Sequence, residues 1–149
     1  MADLLLSIFH FLAAFAMAAI LATEIALVRP GITAEQVVRI RRLDGFYGSL
    51  IGLILFIGVI QVSYGGKGQE FYTGNPIFWM KMAAYAAIGV LSVQPTIRIY
   101  YWWQEARGGS FFSAPEDEVA RVSRFLRLEA AAYVLVVLFA VFAARGVDL

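Results

Sequence analysis

Apolar residues along this chain fall into four long blocks separated by short charged or glycine-rich stretches. The first block runs from Leu4 to Val28 and is interrupted only by Ser7, His10, Thr23 and Glu24. The second covers about Phe46 to Tyr64, with Gln61 as its strongly polar side chain, and the third runs from Pro76 to about Ile97 and carries Lys81 and Gln94. The fourth covers about Ala130 to Ala144 and contains no charge. A helix needs about 20 residues to cross the hydrocarbon of a bilayer. No alternating barrel pattern is present, and a lipid-facing segment must satisfy its backbone hydrogen bonds internally, so helices are the expected form. The prediction is an all-α, integral membrane four-helix bundle, a single four-span domain over residues 1–149.

The stretches between the blocks predict structured connections. Thr33-Ala34-Glu35-Gln36 and Ser113-Ala114-Pro115-Glu116 both match the capping box, which predicts short cytoplasmic helical extensions running into spans two and four. Asn75-Pro76 reads as an N-cap and first-turn pair for span three. Gly65, Gly66, Gly68 and Gly74 predict a flexible or tightly turned outer loop, and Gly108-Gly109-Ser110 is a linker-like stretch. Gly48 and Gly52 form a GxxxG pair expected to let a neighbouring helix of the bundle approach closely. A weak internal repeat relates Arg39–Asp44 to Arg124–Glu129 at an offset of 85.

Orientation follows from the basic residues. Nine arginines lie in the two connections that precede spans two and four, whereas only Lys67 and Arg145 lie at the other end. The positive-inside rule then places both termini outside the cytoplasm. The acidic start, Met1-Ala2-Asp3, and the length of the first block favour an uncleaved first span over a signal peptide.

Composition narrows the chemistry. Hydrophobic residues make up 61% of the chain and charged residues 15%, which excludes a water-soluble globule of this size. A net charge of +1 gives no field for nucleic acid, so the expected partners are the lipid bilayer and either a second copy, in a homodimer, or a larger membrane complex. The absence of cysteine removes disulfides, thiolate metal sites and thiol nucleophiles, and one histidine cannot supply an ordinary transition-metal centre.

Ionisable groups within spans cost a few kcal/mol at the membrane centre and ask for an explanation. His10 on span one and Lys81 on span three each fall about 9 Å outward of their span's midpoint, at 1.5 Å per residue. An imidazole and an ammonium at one level suit an anionic, redox-active amphiphile: haem, another tetrapyrrole or a quinone. His10, Ala13, Ala14, Met17, Leu21 and Glu24 form one helical stripe expected to face the bundle, with Met17 as a secondary thioether candidate. With one histidine per chain, haem b would be five-coordinate, held by His10 and a different residue type, or ligated by two histidines across a dimer. The inner group of Glu24, Asp44, Arg98 and Glu129 is expected to form structural ion pairs with the surrounding arginines.

The stretches His10–Phe15, Arg42–Gly48 and Gly65-Gly66-Lys67-Gly68…Phe71-Tyr72…Asn75-Pro76…Phe78-Trp79…Lys81 resemble an uncharacterised family of predicted four-span bacterial membrane proteins. That resemblance covers nearly the whole chain and implies a multi-pass protein of the bacterial inner (cell) membrane, with no activity attached. A remoter likeness is to the HemJ-type protoporphyrinogen oxidase, which is similar in placing a histidine on its first span and a lysine early in its third, after a tryptophan. The matching positions are His10, Trp79 and Lys81, while Val93-Gln94-Pro95 stands where that family tends to carry a further histidine. The functional expectation is a small membrane protein binding haem or a comparable redox amphiphile through His10 and Lys81. The alternative is a non-catalytic structural or assembly subunit of a larger membrane complex.

Overall fold

In the computed structural model, residues 1–64, 68–108 and 112–145 are described, without the side chains of Ala2 and Asp3. Gly65, Gly66, Lys67, Gly109 and Ser110, read above as parts of two connections, lie outside the described residues. Four long helices account for the apolar blocks: α1 (Ala2–Leu27), α2 (Ala34–Tyr64), α4 (Pro76–Arg107) and α5 (Glu116–Ala144). A short α3 (Gln69–Thr73) precedes α4, in a stretch where the glycine pattern predicted only loop. All four long helices are long and apolar enough to cross a membrane.

Local chemistry sets their boundaries. At the start of α2 the Thr33 box closes in both directions: the Gln36 N–H donates to Thr33 Oγ1 at 3.3 Å, and the Thr33 N–H donates to Gln36 Oε1 at 2.9 Å. Gly31 turns the chain into this cap with φ +80°, a left-handed conformation that strains any other residue. Asn75 caps α4, its Oδ1 accepting from the Ile77 N–H at 2.8 Å. The Ser113 box does not form. Pro115 is the N-cap of α5, and no side chain caps that end. The reason is steric: Ala114 precedes a proline and is held out of the helical region, so the helix begins after Pro115 rather than at Ala114.

The helices form a ring in the order α1, α2, α4, α5, with the most extensive contact between α4 and α5. α1 and α4 therefore stand on opposite corners, both facing the interior. Three tyrosine and glutamine hydrogen bonds tie the ring together. Tyr133 on α5 donates to the Ala14 carbonyl of α1 at 2.7 Å, Tyr85 on α4 donates to the Ile51 carbonyl of α2 at 2.6 Å, and Gln61 Nε2 donates to Ser7 Oγ at 3.2 Å. The core contains Met17, Leu21, Ile40, Tyr47, Ile88, Ile99, Trp102 and Leu126. Large apolar side chains such as Phe15, Phe46, Phe56 and Val90 point outward, at 65–73% exposure, as a lipid-facing surface requires.

α2 is one continuous helix of 31 residues, about 46 Å long, against about 30 Å of hydrocarbon. Its arginine-bearing first turns, with those of α5, form an extension of the bundle that we call the arginine-rich end. Pro95 sits buried within α4, which continues past it to Arg107. Gly48 and Gly52, expected to pack inside the bundle, are exposed instead, with no neighbouring atom within 4 Å of an added Cβ. The face of α2 turned inward is the one carrying Ile40, Asp44, Tyr47, Ile54 and Ile57, which leaves these two glycines on the outer side. Positions related by the 85-residue offset share burial: Val37 with Val122, Asp44 with Glu129, and Tyr47 with Ala132.

Candidate functional site

The inward stripe of α1 carries both of its polar groups into the bundle, with Ala13, Met17, Leu21 and Glu24 buried and His10, in the N-terminal half of the helix, half-buried. His10 packs against α2, its Cε1 lying 3.9 Å from the place a Cβ on Gly58 would occupy. The imidazole Nδ1 is buried without a hydrogen-bond partner. Lys81, one turn into α4, is half-buried, with its Nζ 5.0 Å from the centre of the Phe78 ring. Lys81 stands on α4, at the corner of the ring opposite α1, which carries His10. No carboxylate among the described residues pairs with Lys81.

Met17 is not part of this site. It is fully buried in the hydrocarbon core, about 10 Å further along α1 than His10. The Ser49 and Ser92 hydroxyls donate to the carbonyls of Gly45 and Gly89 on their own helices, and Ser7 accepts from Gln61.

A second polar group occupies the half of the bundle nearer the arginine-rich end. Asp44 on α2 accepts a 2.6 Å hydrogen bond from the Thr96 hydroxyl of α4 and lies 3.4 Å from Arg41 Nη1. Arg98 turns away from the carboxylates it was expected to join and pairs with Glu118 at 3.1 Å. The other oxygen of Glu118 accepts from Trp102 Nε1 at 3.0 Å, so this carboxylate clamps α5 to α4. Glu24 and Glu129 form no ion pair among the described residues, and each is 1% exposed. Glu24 Oε1, both carboxyl oxygens of Glu129 and the Tyr47 hydroxyl are buried without a hydrogen-bond partner. The pairing expected of four residues is thus realised for Asp44 with Arg41 and for Arg98 with a different partner. The reason is rotational: Arg29 and Arg127, sequence neighbours of Glu24 and Glu129, are exposed while the two carboxyls face the core.

Tyr47 and Gly58 are the residues that sequence reasoning passed over. Tyr47 follows Asp44 by three positions, which places a phenol on the same helical face as a carboxylate, and that spacing was the available signal. Nothing in the sequence distinguishes Gly58 from the other glycines of α2. A shallow depression of about 540 Å³ lined by Tyr100, Trp103, Gln104, Arg107 and Gly108 lies near the far end of α4, roughly 28 Å along the helix from Lys81. Among the described residues no three His, Asp or Glu side chains converge with metal-binding geometry.

Four apolar helices with ionisable groups turned into their shared interior define a multi-pass α-helical membrane protein. The chain belongs to the DUF2214 family, described as "Predicted membrane protein", which matches residues 2–148. No curated protein and no solved structure matches the chain.

Proposed function

We propose that this protein binds an anionic, redox-active amphiphile, a tetrapyrrole carboxylate above all, between α1, α2 and α4 at the level of His10 and Lys81. The observation that carries the reading is the company these two groups keep. An amine and an imidazole share one level of a membrane bundle, and no carboxylate among the described residues answers them. A lysine charge inside a span costs about 3 kcal/mol, which an anionic ligand offsets. The unpartnered Nδ1 of His10 costs about 1–3 kcal/mol more while it stays buried and unsatisfied.

Haem b fits this donor set: His10 would ligate its iron and Lys81 would pair with a propionate. The group itself would supply one-electron chemistry at the iron. The chain's own residues would bind and orient it. Lys81 holds the negative end, Phe78 keeps the lysine stem in place, and Gly58 offers a surface without a side chain beside the imidazole. We further infer a multi-pass protein of the bacterial cell membrane with both termini extracytoplasmic, supported by nine arginines at one end against Lys67 and Arg145 at the other.

Protein purified from the membranes of a haem-replete host is expected to show Soret absorbance that His10→Ala abolishes. Lys81→Met should keep the absorbance but release the cofactor at least tenfold faster to an apo-acceptor. Wild-type protein with no more Soret absorbance than His10→Ala would end this reading. The second reading, a non-catalytic subunit of a larger complex, is supported by the outward GxxxG of Gly48 and Gly52, which none of the described residues covers. Purification in mild detergent that yields a single-chain particle, with no second protein, argues against it.

A further inference from the structure

Toward the arginine-rich end, aromatic residues of α4 meet arginines from two helices. Tyr100, Trp103, Gln104, Arg107 and Gly108 recur at intervals of one and two turns, so they fall on one side of α4, and they line the depression of about 540 Å³. The Tyr100 and Trp103 rings form an aromatic shelf there, their centres 5.8 Å apart and their planes inclined by 35°. Each ring carries a guanidinium. Arg107 Cζ lies 4.7 Å from the centre of the Trp103 ring, and Arg41 Cζ, reaching over from α2, lies 5.6 Å from the centre of the Tyr100 ring. None of the five lining residues is acidic, and no carboxylate among the described residues pairs with Arg107. Arg41 shares one nitrogen with Asp44, at 3.4 Å.

The shelf has a definite depth in the membrane. About 32 Å of helix separates Trp79 from Tyr100, close to the roughly 30 Å of a bilayer's hydrocarbon. Both side chains are exposed, as aromatic residues at the two interfaces are. With Tyr100 at the edge of the hydrocarbon, Trp103, Gln104 and Arg107 fall in the headgroup layer. Val93 and Ile97, two turns and one turn back on the same side of α4, are 53% and 49% exposed. Apolar surface thus leads directly into a cationic recess. That order matches a phospholipid, with acyl chains on the apolar part and phosphate in the recess, rather than a soluble anion, which makes no use of the apolar part. The charges then select among phospholipids. An ammonium headgroup is drawn to aromatic faces, but guanidiniums already sit on both rings and repel it. A headgroup of net negative charge meets no such opposition.

We propose that the Tyr100–Trp103 shelf, with Arg107 and Arg41, binds the phosphate of one anionic phospholipid whose acyl chains lie along Val93 and Ile97. Arg107 is the principal donor, because its guanidinium has no carboxylate partner among the described residues and its planar fork matches two phosphate oxygens. The Trp103 indole and the Gln104 amide add neutral N–H donors beside it. The site lies at the opposite end of α4 from Lys81, so it stands whether or not an amphiphile binds at His10 and Lys81.

Native mass spectrometry of the full chain, released from micelles holding phosphatidylglycerol and phosphatidylcholine in equal amounts, reads the bound lipid directly. Wild-type protein should retain phosphatidylglycerol over phosphatidylcholine by about fivefold or more, and Arg107→Gln should lower that preference about fivefold, the effect of one arginine near anionic headgroups. Arg29→Gln removes the same charge beyond the end of α1, at the corner opposite α4, and should leave the preference unchanged. Both arginines are exposed, so neither variant threatens the fold. In a second arm, thermal unfolding is followed in nanodiscs. Replacing phosphatidylcholine by phosphatidylglycerol should raise Tm of the wild type more than that of Arg107→Gln, because a ligand of the folded state stabilises it by mass action. Sodium phosphate added to phosphatidylcholine nanodiscs should not. Equal retention of the two lipids by wild-type protein overturns the proposal, as does a preference that Arg107→Gln leaves intact or that Arg29→Gln lowers equally. A Tm rise with sodium phosphate that Arg107→Gln removes would give the shelf to a soluble anion, and a two-chain particle that Arg107→Gln splits would give it to a second copy. Either result overturns the proposal too.

Discussion

Individual residues in this bundle are sorted by charge along the membrane normal. Among the described residues no carboxylate pairs with His10 or Lys81, and no cation pairs with Glu24 or Glu129. Asp44 differs from its acidic neighbours because both of its oxygens are engaged, one by Thr96 and one by Arg41. Thr96→Val keeps the shape and removes the hydroxyl, so it should cost about 1–3 kcal/mol, read by denaturant or thermal unfolding. At Gly58 an added Cβ would sit 3.9 Å from His10 Cε1, an ordinary contact. Gly58→Ala is therefore expected to leave both stability and any Soret absorbance near wild type. Gly58→Leu should overpack the site by about 1–3 kcal/mol and displace the imidazole, with a lowered Tm and lost absorbance together. Helix arithmetic predicts a common level for His10 and Lys81. Which helices neighbour each other was not legible, because only the packed ring puts α1 and α4 at opposite corners.

Helix boundaries provide a controlled comparison at the scale of elements. Thr33 and Ser113 head sequences of the same capping-box form, yet only Thr33 closes its box. Thr33→Ala should cost about 1 kcal/mol, whereas Ser113→Ala should be neutral within about 0.5 kcal/mol. Paired unfolding curves check this, and equal losses would mean that α5 is capped by Ser113 after all. In the second motif the proline after Ala114 overrides the cap signal, since backbone sterics act at shorter range than a side-chain hydrogen bond. The acidic first turn of α5, Glu116, Asp117 and Glu118, still meets the positive end of the helix favourably. The extension before span two was legible from a capping box that closes upstream of the apolar run, whereas the one before span four exists without the box that predicted it. The outward turn of Gly48 and Gly52 was not, since a GxxxG motif specifies close approach without naming the partner.

For the whole molecule, orientation in the membrane is the property most open to direct test. The chain lacks cysteine, so a single introduced cysteine reports its own side of the membrane without background. In intact cells a membrane-impermeant maleimide should label Gln69→Cys at the start of α3 and leave Ser113→Cys unlabelled until the cells are opened. The reverse pattern would invert the proposed topology. The arrangement of helices also explains how a bundle with so many outward-facing phenylalanines holds together. Apolar side chains gain little from meeting each other in lipid, so hydrogen bonds between helices, such as Tyr133 to Ala14 and Tyr85 to Ile51, take a larger share of the work.

By itself the amino-acid sequence determined that the chain crosses a membrane, in four helices, with a basic end and buried ionisable groups at two levels. These properties depend on hydrophobic length, helix period and charge counts, all of which are local and read along one dimension. Only the tertiary structure decided which of those groups face each other. It set Arg98 on Glu118 rather than on Glu24, Asp44 or Glu129, left Glu24 and Glu129 buried without an ion pair among the described residues, and laid His10 against Gly58. The physical reason is rotation: a helix carries its side chains around 360°, and the angle at which each helix is turned toward its neighbours comes from packing of the whole ring, which no single segment specifies.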